Sequence, residues 1–461
     1  MTMTFATSTS SAVGLHLITS DAFADWHAQQ SEFAQNILAS TGFKAALGSV
    51  AIVPDSTTGA PAFAVGGLGD AAARRRGRFH LAKIRAALPK GTYRLVPSPL
   101  YTPSESDLLG WLLEGYRFDR YKSATESSVQ LIAPDSVDSA RIEALAAGEV
   151  LTRDLINMPP NDLGPSELEA AARQVAQDYG ASVSTIVGDD LARDFPMIHA
   201  VGHGSSRRPR LVEINWGTSG AALTLVGKGV CFDTGGLDIK PASGMGLMKK
   251  DMGGAATVLG LATMIMRLGL PLRLRILLPI VENAISGDAM RPQDILKSRK
   301  GLTVEVNNTD AEGRLILADA LTYAAEGNPD LVISMATLTG AARVAVGPDL
   351  APFFATDDAL ADALAQGGDQ SADPLWRLPF WEPYESLIEP GIADLDNAPA
   401  GGFAGSITAA LFLKRFVTET TRYAHFDIYG WQPSAAPGRP KGGVGQGARA
   451  ILAALPGVLG L

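Results

Sequence analysis

The sequence predicts an α/β protein, with a smaller N-terminal α/β domain followed by a larger α/β domain whose mostly parallel central sheet is covered by helices. Three observations carry this. The 461-residue length exceeds one typical domain. The breaker Asn157-Met158-Pro159-Pro160-Asn161 interrupts the chain after its first third. Beyond it, short apolar runs alternate with helical segments, the order that builds parallel sheets.

The elements follow in order. Residues 1–135 form the first domain, with strands over 49–53 and 92–96 and a helix over 107–116. Residues 136–150 are read as a connecting helix, and 151–461 as the second domain. Ser166 is the expected N-cap of the next helix, with Glu169 as its capping-box partner. Strands are then expected over 222–226, 272–278, 303–306 and 331–335, and helices over 254–268 and 314–325. The Gly- and Pro-rich stretch 433–447 reads as a surface loop before a final helix over 448–455.

Composition narrows the function. Hydrophobic residues make up 46% of the chain and charged residues 19%, an ordinary globular balance. The net charge of −9 argues against nucleic acid as the main partner. The basic cluster Arg74, Arg75, Arg76, Arg78, His80, Lys83 and Arg85 reads as a solvated helix face. One cysteine, Cys231, allows no internal disulfide, which fits a reducing compartment. The start, Met1 to Ser11, is Thr- and Ser-rich and lacks the pattern of a secretory signal. No apolar run is long enough to span a membrane, so a cytoplasmic protein is expected.

The chemistry is expected beyond the strand ends, where open parallel sheets bind ligands. Lys228, Asp233 and Lys240 follow the 222–226 strand. Asn308, Asp310, Glu312 and Arg314 follow 303–306, and Thr337, Leu338 and Gly340 follow 331–335. Asp251 opens the helix after the first loop. Taken singly, these acids are ordinary caps and turn residues. Four crowded carboxylates, however, raise one another's pKa values unless cations join them. No histidine lies in these loops, so the site is oxygen-rich, and the surplus of carboxylates suggests a pair of ions. No Gly-x-Ser-x-Gly elbow is present, and Cys231 reads as a small buried residue rather than a nucleophile. Loop chemistry alone leaves peptides and phosphate esters both open as substrates.

The run Asn308-Thr309-Asp310-Ala311-Glu312-Gly313-Arg314-Leu315-Ile316-Leu317-Ala318-Asp319-Ala320-Leu321 resembles the signature of the leucine aminopeptidase family. The resemblance extends to Val226-Gly227-Lys228-Gly229, Phe232-Asp233-Thr234-Gly235-Gly236, Asp251-Met252-Gly253-Gly254 and Ala336-Thr337-Leu338-Thr339-Gly340. It covers about residues 150 to 455, and the first domain carries no comparable signature. The resemblance implies hydrolysis of the N-terminal peptide bond of peptides with a free N-terminus, preferably after leucine or another apolar residue. It implies two divalent metal ions per subunit, Mn2+ or Zn2+ with Mg2+ or Co2+ as alternatives, a bridging water, and bicarbonate as an accessory anion. The implied metal ligands are Lys228, Asp233, Asp251, Asp310 and Glu312, and the implied catalytic pair is Lys240 and Arg314. Met248, Asn308, Thr337, Leu338 and Gly340 are implied to bind substrate. A homohexamer is the implied assembly. Gly246 stands where many relatives carry Asp, Lys249-Lys250 replaces a commoner Arg-Ala pair, and Gly445-Gln446-Gly447 is also unusual.

Overall fold

The computed structural model describes residues 3–7, 9, 11–99, 101–123, 128–389 and 391–461. Part of the Thr- and Ser-rich start lies outside them. The chain divides into two compact units, Met1–Val150 with Ser434–Lys441, and Leu151–Pro433 with Gly442–Leu461.

The first unit is built on a five-stranded sheet in the order Val50–Pro54, Pro61–Gly67, Val13–Ile18, Gly91–Leu95, Val129–Ile132. All neighbours pair parallel except the first two. Helix Glu105–Glu114 begins in a reciprocal capping box between Ser104 and Asp107. The basic cluster is not one solvated helix face. It spans two short helices, Ala71–Arg75 and His80–Ala87. Arg74 donates to the Gly69 carbonyl at 2.9 Å, Arg85 to that of Trp111 at 2.6 Å, and His80 meets Asp107 at 3.3 Å. His80 and Arg85 tie their helix to helix Glu105–Glu114 and Arg74 ties the loop before its own helix, which leaves Arg75, Arg76 and Lys83 as the exposed charges.

In the second unit the main sheet runs Leu375–Arg377, Ala351–Ala355, Tyr423–Asp427, Leu331–Ala336, Ala221–Gly227, Leu272–Asn283, Arg210–Trp216, Ser182–Val187. The central four strands are parallel, and antiparallel pairs flank them on both sides. Leu331–Ala336 and Tyr423–Asp427 are buried throughout, as strands covered on both faces must be. Helices Gly253–Arg267 and Glu312–Glu326 are buried over most of their length against this sheet. Cys231 lies buried in the short strand Gly229–Asp233.

Three local expectations change. Helix Pro165–Asp178 starts one residue before Ser166, with Gly164 as N-cap. Pro165 needs no N–H partner in the first turn. Glu167 therefore takes the capping position and accepts from Gly164 N at 3.0 Å, while Glu169 pairs with Arg173 and Arg210. Strand Thr303–Glu305 belongs to a separate three-stranded sheet with Ile295–Lys297 and Leu395–Asp396. The stretch 433–447 is only partly a surface loop, since Gly438, Arg439 and residues 442–447 are buried. Among the described residues no helix is long and apolar enough to cross a membrane.

The helix Gly253–Arg267 approaches the sheet where neither partner has a side chain. A Cβ on Gly254 would lie 2.1 Å from the Met335 carbonyl oxygen, and one on Gly227 would lie 2.6 Å from Ala255 Cα. Bare backbone on both sides lets Ala255 N donate to Lys228 O at 2.8 Å, and Lys228 N to Met335 O at 3.0 Å.

Candidate active site

Lys228 follows directly on strand Ala221–Gly227, and Asp233 closes strand Gly229–Asp233. Asp251 does not open the helix as expected; it lies in the preceding 3-10 turn Met248–Met252. Glu312 is the first residue of helix Glu312–Glu326, so Arg314 falls within its first turn. The loop carrying Asp310 is anchored by Asn397, whose Oδ1 accepts from Asn307 N at 2.9 Å and whose Nδ2 donates to Asn308 O at 2.7 Å. Thr309 fastens it on the other side, donating through Oγ1 to Gly235 O at 2.6 Å. Gly235 takes a φ of +88°, which suits a residue without Cβ.

These elements converge on one cavity of about 600 Å³. Lys228, Asp233, Lys240, Met248, Asp251, Asn308, Asp310, Arg314, Thr337, Leu338 and Gly340 all line it. Glu312 lies behind the wall, buried and in contact with Lys228. Lys228 Nζ meets Asp251 Oδ2 at 2.8 Å and Glu312 Oε1 at 2.9 Å. Lys240 Nζ meets Asp233 Oδ2 at 2.8 Å and pairs with Asp310. The absence of a side chain at Gly313 makes room for this packing, since a Cβ there would lie 2.6 Å from Lys228 Cε.

The electrostatics are those of a crowded acidic cluster. Burial, reinforced by the charge of Asp233, pushes Glu312 up to about 8 and Asp310 up to about 6. Burial works against charge on Lys228 and Lys240 too, but the surrounding carboxylates outweigh it and raise both. Lys228 likewise overcomes burial at Asp251 and lowers its pKa. Burial brings the Arg314 guanidinium down to about 10, against the opposing pull of Asp427, Glu312 and Asp396.

The donor set fits divalent cations. One oxygen each from Asp233, Asp310 and Glu312 lie within 4.8 Å of one another. Asp251 Oδ2, Asp310 Oδ1 and Glu312 Oε1 are buried and accept no well-directed hydrogen bond; lysine ammonium groups merely approach them. Carboxylate oxygens left in that state suit hard or borderline ions. The Glu312 shift carries a prediction. Its folded pKa of about 8 exceeds the ordinary 4.5, so its contribution to stability is present below pH 4.5 and is lost as pH rises through 8. Thermal melts of the metal-free protein across that window are expected to fall with pH, and added Mn2+ is expected to reverse the fall.

Several residues outside the expected ligand, catalytic and substrate-binding set also shape the site. Asn283 Nδ2 donates to Asp233 Oδ1 at 2.9 Å and aims that carboxylate. Asp427 accepts from Leu338 N at 3.1 Å, Thr339 N at 2.9 Å, Thr339 Oγ1 and Ser406 Oγ at 2.9 Å. It thus shapes the 337–340 segment. Asp427→Ala strands those donors and is expected to cost roughly 3 kcal/mol, read as a lowered melting temperature together with a raised KM. Lys250, Arg343 and Tyr429 line the cavity as well.

Comparison with known proteins adds to this geometry. Residues 150–452 match the catalytic domain of the cytosol aminopeptidase family, and residues 13–134 match the M17 aminopeptidase N-terminal domain. The latter match gives the first domain the affiliation that its sequence did not reveal. A probable cytosol aminopeptidase of Roseiflexus castenholzii is 45% identical over 367 residues, covering 75% of each chain. One from Chlorobaculum tepidum is 37% identical over 459 residues, covering 90% of each. The crystal structure of a Coxiella burnetii cytosol aminopeptidase superposes with a TM-score of 0.94 at 41% identity, covering 99% of both chains. The bottromycin maturation enzyme BotP in complex with Mn gives a TM-score of 0.87 at 32% identity, covering 97% of this chain and 100% of that one.

Proposed function

The chain belongs to the cytosol aminopeptidase family and is a metal-dependent aminopeptidase, and from that premise we propose that it releases leucine or another apolar residue from the free N-terminus of peptides. The observation that carries this is the carboxylate trio Asp233, Asp310 and Glu312 with oxygens within 4.8 Å, beside two lysines at the cavity wall. Lys228, Asp233, Asp251, Asp310 and Glu312 would hold two divalent ions. When bound, the ions supply a Lewis acid for the scissile carbonyl, an anchor for the free amine, and a bridging water acidic enough to attack at neutral pH.

The chain's own residues do the rest. Lys228 would have to be neutral to serve as a ligand, and nearby divalent charge would lower its pKa toward that state. Lys240 keeps its proton and donates to the oxyanion that develops on the substrate. Arg314 is a buried guanidinium whose Nε donates to no acceptor among the described residues. It therefore suits a small planar anion such as bicarbonate, held bidentately as a proton carrier. Leu338 and Gly340 offer backbone groups to the peptide, and Asn308 and Thr337 line the same wall. Met248 and Leu247 present the apolar surface that supports preference for leucine. Mn2+ or Zn2+ as the ions, a cytoplasmic location and a homohexamer complete the proposal.

The test compares leucine p-nitroanilide with p-nitrophenyl phosphate, with Mn2+ or Zn2+ added and after chelation. Hydrolysis of the anilide is expected to be lost on chelation and restored by metal. Cleavage of the phosphate ester alone would overturn the reading.

A further inference from the structure

Lys250 is a cation with no assigned task. It is only 5% exposed, yet it borders the cavity. Its Nζ lies 5.1 Å from the centroid of the Tyr429 ring, and Arg343 Cζ lies 4.9 Å from the same centroid. Among the described residues no carboxylate or carbonyl accepts a hydrogen bond from Lys250 Nζ. The adjacent Asp251 offers no relief, because its oxygens go to Lys228 at 2.8 Å and Thr337 Oγ1 at 2.8 Å. An ammonium on a largely buried side chain, with an aromatic face beside it and no acceptor, is incompletely compensated. A wholly apolar substrate would bury it further without a partner.

Resting on the aminopeptidase reading, we propose that Lys250, with Arg343 and Tyr429, forms a receiving site for a substrate carboxylate. That carboxylate is either the side chain of an N-terminal acidic residue or the free C-terminus of a dipeptide. Tyr429 holds the two cations on one wall, and their donors point at the same class of partner. Lys250 is thus a specificity-determining residue, and the site accepts acidic or very short peptides alongside apolar ones.

Two matched pairs separate the sources. Glu-Ala amide against Gln-Ala amide reports a side-chain carboxylate, and Leu-Gly against Leu-Gly amide reports the C-terminus. With saturating Mn2+, the native enzyme is expected to favour the acid in one pair by about tenfold in kcat/KM. Lys250→Met is expected to bring that ratio close to one. Arg343 is exposed, so Arg343→Met is a variant that does not disturb the interior, and it is expected to lower the same ratio about threefold. Ratios near one in the native enzyme overturn the proposal, as does an acid preference that survives Lys250→Met. Should that variant not fold, an unchanged ratio in Arg343→Met overturns it. If none of the four peptides is cleaved, the aminopeptidase reading itself fails. If Leu-Gly amide is cleaved without any acid preference, only the carboxylate site fails.

Discussion

Lys240→Ala is expected to lower kcat by roughly two to three orders of magnitude, the usual loss when a donor to a developing oxyanion is removed. The side chain is held by Asp233 at 2.8 Å and by Asp310, so its charge is fixed at the cavity wall before substrate arrives. Burial opposes that charge and the carboxylates more than restore it, which keeps the proton on Lys240 throughout the working pH range. Elemental analysis of the variant is expected to return the native metal content, because the carboxylates remain. The combination of intact metal and lost turnover separates a proton donor from a ligand. Near-native kcat in this variant would remove Lys240 from the mechanism.

Asp310→Ala is expected to act the other way, by loss of metal. Asp310 contributes one of the oxygens in the 4.8 Å cluster, and burial together with Asp233 holds its pKa up at about 6. Removing it takes away both a ligand and part of the negative charge that makes the site attractive to cations. Affinity for at least one ion is expected to fall by more than about a hundredfold, beyond what losing a supporting residue costs. Activity is expected to fall with it and to recover only in part at high metal concentration. Two ions per subunit retained after dialysis would show that Asp310 is not a ligand.

The parts of the site that were legible in sequence are those written in short, continuous runs. Asp310, Glu312 and Arg314 lie within five residues of one another, and their signature needs no knowledge of the fold. Strand ends were legible for the same reason, since Gly227-Lys228-Gly229 and Asp233-Thr234-Gly235-Gly236 interrupt apolar runs. The remainder depends on tertiary placement. Asp427 lies in no motif of the sequence, and only the fold brings it against Leu338 and Thr339. Tyr429 meets Lys250 and Arg343 on the cavity wall, a juxtaposition no periodicity encodes. The 303–306 strand was legible as a strand but not as part of a side sheet, because alternation fixes a face and not a partner. The misplaced Ser166 cap was a competition between two local rules, in which proline at the first helical position prevailed over the capping-box pattern.

The glycine contact between helix Gly253–Arg267 and the sheet works as a gauge block. Gly227 precedes one proposed ligand, Lys228, and Gly254 follows another, Asp251, by three positions. The separation of the two segments is therefore set by touching main chains, with no rotamer between them to relax or swell. Ordinary jostling of the core leaves that separation alone, whereas one added methyl at Gly254 would have to be absorbed where Lys228 and Asp251 face each other. Tolerance to sequence drift is thus unevenly distributed: generous in the side chains that fill the interior, and almost nil at two positions that contribute no side chain at all.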